Sequence, residues 1–177
     1  VAAVVRRAIA EESPVPVSRQ AELLVHVAAY DRNLPARAQG VARVLVVTNP
    51  DDADSRAAGA AMQLALRRYD KIAGLPAQVT VVAFPGGPQL AAACRDGHVS
   101  IVYVTPGADA VLSELVTALD GVDVLTASAI PRFVAQGIVL GFDLVSGKPT
   151  LMINLPQAKR QNVAIDPKVV QLMRLVK

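Results

Sequence analysis

The chain has 177 residues, a length that typically forms one domain with a sizeable core. Apolar residues make up 53% and charged residues 19% of the chain, which excludes a disordered polypeptide. The net charge of +3 and the 3% aromatic content exclude the basic, aromatic-rich surface of a nucleic-acid-binding protein. Because no apolar run reaches roughly 18 residues, we expect no membrane-spanning helix.

Residues 1–17 are expected to form an N-terminal extension that ends in a linker. Pro14 and Pro16 stop a helix and favour extended backbone. The chain starts at Val1 rather than Met, which is typical of a processed chain from which an export signal has been removed. We therefore predict a single domain over residues 18–177.

From Ser18 onward, helical and strand patterns alternate. Ser18 is a suitable N-cap for the first helix, and the apolar run 42–48 suits a strand that is buried on both faces. Asp51 or Asp52 is expected to cap the next helix. Further strands, separated by helical patterns, are predicted at residues 78–84, 98–105 and 122–126. This order predicts an α/β fold with a mainly parallel central sheet and helices on both faces.

The last forty or so residues predict a different arrangement. Residues 137–155 have the pattern of an antiparallel β-hairpin whose turn contains Gly147, a residue that readily adopts positive φ. Asp166 as N-cap and Pro167 at the first helical position predict a terminal amphipathic helix. The stripe of this helix is expected to pack on the second hairpin strand and close that edge of the sheet: Val169, Met173 and Val176 against Leu151, Ile153 and Leu155.

A second interpretation of the terminal helix is that part of its surface contacts another protein. Leu172 and Leu175 would lie on the neighbouring faces of such a helix. The sequence pattern leaves both interpretations open.

The motifs of common enzyme classes are missing from the sequence. It contains no dinucleotide fingerprint, no phosphate loop, no nucleophile elbow and no HExxH motif. Cys94 is the only cysteine, which excludes an intrachain disulfide and a cysteine-based metal site. His26 and His98 lie far apart and lack a carboxylate at ligand spacing. We therefore predict no catalytic residues, no metal and no cofactor.

Polar residues at the predicted strand ends are the first group of candidate binding residues. In parallel sheets, ligands bind beyond the carboxyl ends of the strands. Asn49, Thr105 and Ser128 occupy such positions, although Asn49 is equally suited to stabilising the turn before Pro50. The nearby acidic cluster of residues 51–54 is attributed to helix capping rather than to a metal site.

The exit of the first helix supplies the second group of candidates. Tyr30, Asp31, Arg32 and Asn33 form a polar stretch there. This stretch is either a solvated helix end or part of a ligand- or partner-binding surface.

Four segments of the chain, in order, carry a resemblance to a known family. They are the first helix running into Tyr30, residues 94–104, residues 124–133, and the hairpin with its terminal helix. Together they resemble the YfiR/HmsC-like family of periplasmic regulatory proteins, from about Gln20 to Lys177.

The resemblance implies a periplasmic α/β protein that often forms dimers and acts without catalysis. Its implied partner is the periplasmic part of a membrane-bound diguanylate cyclase, which it represses, or another envelope protein. Residues 29–35 depart from the family pattern because they lack its Trp, and Cys94 alone cannot form the disulfides of redox-controlled members. The alternative function is a periplasmic small-ligand-binding protein that uses the strand-end residues named above.

Overall fold

The computed structural model describes residues 15–177, which form one eight-stranded sheet flanked by helices. The strands are β1 (Ala42–Thr48), β2 (Lys71–Ile72), β3 (Leu75–Ala83), β4 (Val99–Val104), β5 (Leu125–Ser128), β6 (Leu140–Val145), β7 (Lys148–Asn154) and β8 (Arg174–Val176). The helices are α1 (Val17–Ala28), α2 (Leu34–Ala38), α3 (Ala53–Leu66), α4 (Gly87–Asp96), α5 (Asp109–Leu119), α6 (Pro131–Ala135), α7 (Leu155–Arg160) and α8 (Pro167–Val170).

The predicted N-terminal extension lies mostly outside the described residues. Val15 is buried in the core, and its carbonyl accepts a hydrogen bond from Gln20 Nε2 at 2.6 Å. Pro16, rather than the predicted Ser18, occupies the N-cap position of α1, without a side-chain hydrogen bond. The boundary between an extension and a domain at residue 18 stays a prediction.

The sheet order is β2-β3-β1-β4-β5-β6-β7-β8. The strands from β3 to β6 are mutually parallel, β6 and β7 form an antiparallel hairpin, and β2 pairs antiparallel with the start of β3. The chain reverses its direction of winding between β1 and β4, which is the topological switch point of this kind of sheet. The predicted mainly parallel α/β fold with a C-terminal hairpin is therefore confirmed.

Two hydrophobic cores cover the two faces of the sheet, as predicted. One contains the apolar faces of α1 and α3, whose Leu24 and Met62 are fully buried. The other contains α4 and α5, with Leu90 and Leu115 at its centre. The strand β4 is buried along its whole length because it contributes side chains to both cores.

A helix cap and a hairpin turn that the sequence predicts are both present in the structure. Asp52 caps α3, its Oδ1 accepting the Ser55 N–H at 2.7 Å. The hairpin turn consists of Ser146 and Gly147, both at positive φ (50° and 76°), as a two-residue turn of this handedness requires.

The predicted terminal helix is wrong beyond its first turn. Asp166 caps α8 as expected, and Pro167 is its first residue, but the helix ends at Val170. The chain then extends, and Arg174–Val176 pair in parallel with the otherwise open edge of β7. Backbone hydrogen bonds to this edge replace those of further helical turns, a tertiary effect that periodicity does not reveal.

The expected packing of the C-terminal segment on the hairpin holds only in part. Met173 is buried (8% exposed) in the same core as Ile153, and Val169 packs against that core. Leu172 and Leu175, in contrast, are 80% and 55% exposed.

Replacing Met173 with Ala should destabilise the fold by about 2 kcal/mol, because it leaves a cavity where the C-terminal segment joins the core. Leu172→Ala, which shortens an exposed side chain of the same segment, should change the free energy of unfolding by less than about 0.5 kcal/mol. Urea unfolding of both variants measures the difference. Equal stabilities would show that the C-terminal segment does not contribute to the core.

Candidate functional site

Asp31 is a buried carboxylate in the loop between α1 and α2, with only 2% of its surface exposed. Its Oδ2 accepts a hydrogen bond from Arg37 Nη1 at 2.8 Å. Its Oδ1 accepts the backbone N–H groups of Asn33 at 3.1 Å and Ala164 at 3.0 Å. The carboxylate therefore has an ionic partner and two backbone donors, which together compensate for its loss of hydration. The interpretation of the loop as a solvated helix end is wrong for Asp31.

Arg37 joins three parts of the chain from the short helix α2. Besides Asp31, it binds Asp123 through Nε at 2.6 Å and the Asn162 carbonyl through Nη2 at 3.0 Å. Its side chain is almost fully buried, whereas that of Asp123 is half exposed. The sequence does not predict this role of Arg37, because its spacing and neighbours do not distinguish it from a surface arginine.

The rest of the predicted polar loop lies along residues 162–166. The Tyr30 carbonyl accepts the Asp166 N–H at 3.0 Å, and the Arg32 N–H donates to the Ala164 carbonyl at 3.0 Å. Asn33 Nδ2 donates to the Asn162 carbonyl at 2.9 Å. The side chain of Tyr30 remains 52% exposed, so part of the loop faces solvent beside the C-terminal segment.

Asp166 and Arg32 form a charged pair on this surface, with 3.4 Å between Oδ2 and Nη2. The backbone N–H of Lys168 lowers the pKa of the Asp166 carboxyl, and Arg32 lowers it further. Asp166 is therefore ionised at neutral pH and neutralises part of the positive charge of Arg32 and Lys168.

An apolar groove of about 490 Å³, the C-terminal groove, lies next to this loop. It is lined by Ile153, Leu155, Pro156, Ala158, Lys159, Val163, Ala164, Ile165 and Val170. Lys159 is the charged residue among them, and Ala164 and Ile165 are held by the loop that contains Tyr30. The loop of residues 30–33 thus holds two lining residues of an apolar depression that no sequence motif marks.

Asn49 and Thr105 meet at the carboxyl ends of β1 and β4, on either side of the switch point. Both are buried, and Ser55 lies between them. Ser55 Oγ accepts the Asn49 N–H at 2.8 Å and lies 2.7 Å from Thr105 Oγ1, which in turn donates to the Val47 carbonyl at 3.0 Å. The Asn49 amide accepts the Asp51 N–H at 3.1 Å and donates to the Gly107 carbonyl at 3.2 Å.

These hydrogen bonds favour the turn-stabilising interpretation of Asn49. Each polar group of the Asn49 and Thr105 side chains has a protein partner, so none is aimed at an open crevice. Gly107 approaches so closely that a Cβ at this position would lie 2.6 Å from Asp52 Oδ1. The side chains of Asp52 and Ser55 thus fill the space beside Gly107 at the switch point.

Ser128 does not join this hydrogen-bonded cluster. It is the last residue of β5 rather than part of a loop, since that strand runs later than predicted, and it is fully buried. Its Oγ accepts the Ile130 N–H at 3.3 Å, which positions the entry into α6.

The described residues offer little that is chemically reactive. Residues 15–177 contain no group of three or more His, Cys, Asp or Glu side chains that could hold a metal ion. Burial raises the pKa of the Cys94 thiol to about 12, which keeps it protonated and unreactive at neutral pH. Over the same range, no helix has the length and apolar character needed to cross a membrane.

The fold and this surface define an α/β domain that presents an apolar groove rather than a cleft lined with reactive groups. The model of the YfiR/HmsC-like family matches residues 18–174. The chain therefore belongs to the YfiR/HmsC-like family, and membership supports a regulatory, non-catalytic role in the periplasm. No curated protein sequence matches the chain.

Three solved structures share the fold at low sequence identity. A conserved domain protein of Vibrio cholerae O1 biovar El Tor is 13% identical, with a TM-score of 0.63, over 92% of this chain and 60% of that one. The ABC domain of Streptococcus pneumoniae in complex with L-Trp is 12% identical, with a TM-score of 0.54, over 85% of this chain and 62% of that one. CD0873, a substrate-binding protein from Clostridium difficile in its ligand-free open form, is 12% identical, with a TM-score of 0.52, over 82% and 57%. The chain thus spans about three fifths of each of these proteins, and the likeness shows the fold alone.

Replacing Arg37 with Ala should cost about 3–5 kcal/mol of folding free energy, because it leaves Asp31 buried without its ionic partner. Arg32→Ala, which removes an exposed arginine of the same loop, should cost less than about 1 kcal/mol. The double variant Asp31→Leu/Arg37→Met should lose less than the sum of its single variants, because neither charge is left unpaired. Chemical unfolding of Arg37→Ala, Arg32→Ala, the double variant and its two single variants tests this, and strictly additive losses in the double variant would contradict it.

Asn49→Ala should destabilise the fold by about 1 kcal/mol, because the partly buried hydrogen bonds to the Gly107 carbonyl and from the Asp51 N–H are lost. Thermal unfolding with and without amino acids, nucleotides and sugars distinguishes this role from ligand binding. An unchanged melting temperature together with the loss of a ligand-induced shift would favour a binding site at Asn49.

Proposed function

We propose that the chain is a non-enzymatic periplasmic regulatory or adaptor protein that acts by contact with another protein. Its proposed partner is the periplasmic part of a membrane signalling protein, and within this family a membrane-bound diguanylate cyclase is the partner we favour. The observation that carries the proposal is the C-terminal groove beside the loop of residues 30–33.

The lining of the groove favours a protein partner over a small polar ligand. Small-ligand sites combine apolar walls with a few convergent polar groups, whereas this groove is walled by aliphatic side chains and backbone with one lysine. A solvent-facing apolar depression of this kind typically receives an apolar anchor residue of a partner.

Charges around the groove indicate the chemistry of the partner segment. Lys159 lines the groove, Arg32 pairs with Asp166 next to the lining residue Ile165, and Lys168 lies two residues before the lining residue Val170. Together these four charged residues carry a net positive charge. An apolar anchor flanked by acidic or amide side chains is the complementary ligand, with the charges assisting association and orientation.

The loop of residues 30–33 is also held in place before any partner binds. The backbone pairing of Tyr30 and Arg32 with residues 164–166, together with the ionic contact of Asp31 with Arg37, fixes the loop against the groove. A fixed surface loses less conformational entropy on association, which favours affinity.

The alternative function, binding of a small ligand at the carboxyl ends of the strands, has less support. Asn49 and Thr105 use their polar groups within the protein, and Ser128 is buried at a separate strand end. What favours the alternative is the shared fold with two proteins described as a complex with L-Trp and as a substrate-binding protein.

Leu155→Asp tests the groove, because it places a charge in the lining at the first residue of α7, where an acidic residue suits the helix N-terminus. We expect the affinity for the periplasmic domain of a membrane signalling protein encoded beside this chain to fall by at least about tenfold, as for a lost anchor contact. Titration calorimetry measures this affinity.

Leu64→Asp is the matched control, because Leu64 is 73% exposed on α3 and does not line the groove. Its affinity should equal that of the unmodified chain. Both variants should remain folded by circular dichroism, with the lower melting temperature in Leu155→Asp, because Leu155 packs against the core. Full binding by a folded Leu155→Asp variant would rule out the groove as the contact surface.

A further inference from the structure

The outer edge of β3 is open over most of its length. On that side, β2 pairs only with Leu75 and Pro76, whereas β1 pairs with Ala77–Ala83 on the inner side. Residues 78–83 therefore form a sheet edge six residues long, with no further strand beside it among the described residues, whereas the Ala77 N–H is already bound to the Asp70 carbonyl.

The direction of the backbone groups along this edge follows from the hydrogen bonds. The Phe84 N–H donates to the Thr48 carbonyl of β1. The even-numbered residues of β3 therefore direct their backbone N–H and C=O groups towards β1. The odd-numbered residues point outward: the Ala77 N–H binds the Asp70 carbonyl, and the Val79 carbonyl accepts Gln63 Nε2 at 3.3 Å. Val81 and Ala83 thus direct an N–H and a C=O outward, and within residues 15–177 these four groups have no hydrogen-bond partner.

The side chains of β3 lack the usual protection against strand pairing. Natural edge strands carry charged residues, bulges or prolines at exposed positions. In Leu75–Ala83 no residue is charged, the pairing with β1 is regular, and the single proline, Pro76, lies at the end that β2 already covers. The free part of the edge is therefore open to another strand.

We propose that this edge pairs antiparallel with the same edge of a second copy of the chain, with the two-fold axis at Val81. In this register Val81 faces its own counterpart, and Val79 faces Ala83 of the other copy. Three of the outward-pointing residues, Val79, Val81 and Ala83, then form hydrogen-bonded pairs, which satisfies the four groups described above in both copies.

The register is also compatible with the side chains and charges around the edge. Val79 and Val81 extend one hydrophobic core across the junction, and Val82 extends the other. The basic residues Arg67 and Lys71 lie towards the Ala77 end, and the two Ala77 residues are about 27 Å apart in this arrangement. That separation exceeds the Debye length, so like charges do not oppose association.

The groove beside the strand provides space for the second copy. It has a volume of about 390 Å³ and is lined by residues 77–80 together with Arg67, Tyr69 and Asp70. Because Asp70 occupies the position opposite Ala77, and β2 the positions beyond it, the second copy leaves the edge after its Phe84 in this register.

The paired chains form one continuous sheet, and each C-terminal groove lies at an outer end of it, because β3 and β7 stand near opposite ends of the strand order. The self-association surface is thus independent of the proposed partner surface, and either can fail without the other.

Val81→Pro tests the pairing, because proline removes an outward N–H but no hydrogen bond to β1. Sedimentation analysis over a concentration series should show a dimer for the unmodified chain and at least about a tenfold weaker dimer for the variant, since two hydrogen bonds are lost per dimer. Leu172→Asp, at an 80% exposed residue just before β8 at the opposite end of the sheet, should remain dimeric. A chain that stays monomeric at all concentrations, or a dimer that survives Val81→Pro, would overturn the proposal.

Single-cysteine cross-linking tests the register. Two copies of Val81→Cys place their Cα atoms about 5.5 Å apart, within the range for a disulfide. Val79→Cys, on the same face of the strand, places them about 14 Å apart, beyond disulfide reach. Mild oxidation should link the first variant and not the second, while the buried Cys94 stays unreacted. No link at residue 81, or equal links at residues 79 and 81, would exclude this register.

Discussion

The buried contact between Asp31 and Arg37 is the interaction on which the arrangement of the candidate surface depends. A carboxylate in the interior loses its hydration, and it is tolerated only where ionic and hydrogen-bonding partners replace the lost water. Here these partners come from α2 and from the backbone of Ala164, more than 130 residues further along the chain. The loop after α1 and the segment before α8 are therefore one structural unit. The contact also fixes the position of the residues that line the apolar groove beside them.

The parts of the fold that the sequence predicts are those fixed by local chemistry. The continuous apolar run 42–48 corresponds to β1 residue for residue, and Asp52 caps α3 as its position suggests. The hairpin follows from a two-residue turn that needs positive φ at Ser146 and Gly147. In each case, the residues that decide the structure are neighbours in sequence, so a pattern is sufficient to find them.

The parts that the sequence does not predict depend on distant residues. From residue 167 onward, apolar residues recur at helical spacing. Arg174–Val176 nevertheless form a strand, because they pair with the open edge of β7. Asp31 lies in a polar stretch that is typical of solvent-exposed loops, and only the approach of Arg37 and Ala164 explains its burial. The groove likewise combines β7, α7 and the segment up to Val170, and no motif marks such a combination.

The two ends of the sheet differ in how fully their outer strands are paired. One of the two proposed contact surfaces lies near each end. At one end, β8 pairs with Met152–Asn154 of β7, so the backbone of β7 is paired beside the groove and side chains form its lining. At the other end, β2 covers only the start of β3, so the backbone of Val81 and Ala83 is left exposed. The first surface suits recognition of side chains, and therefore a specific partner. The second surface suits backbone pairing with another strand. An uncharged copy of the same strand can pair in this way without specific side-chain contacts.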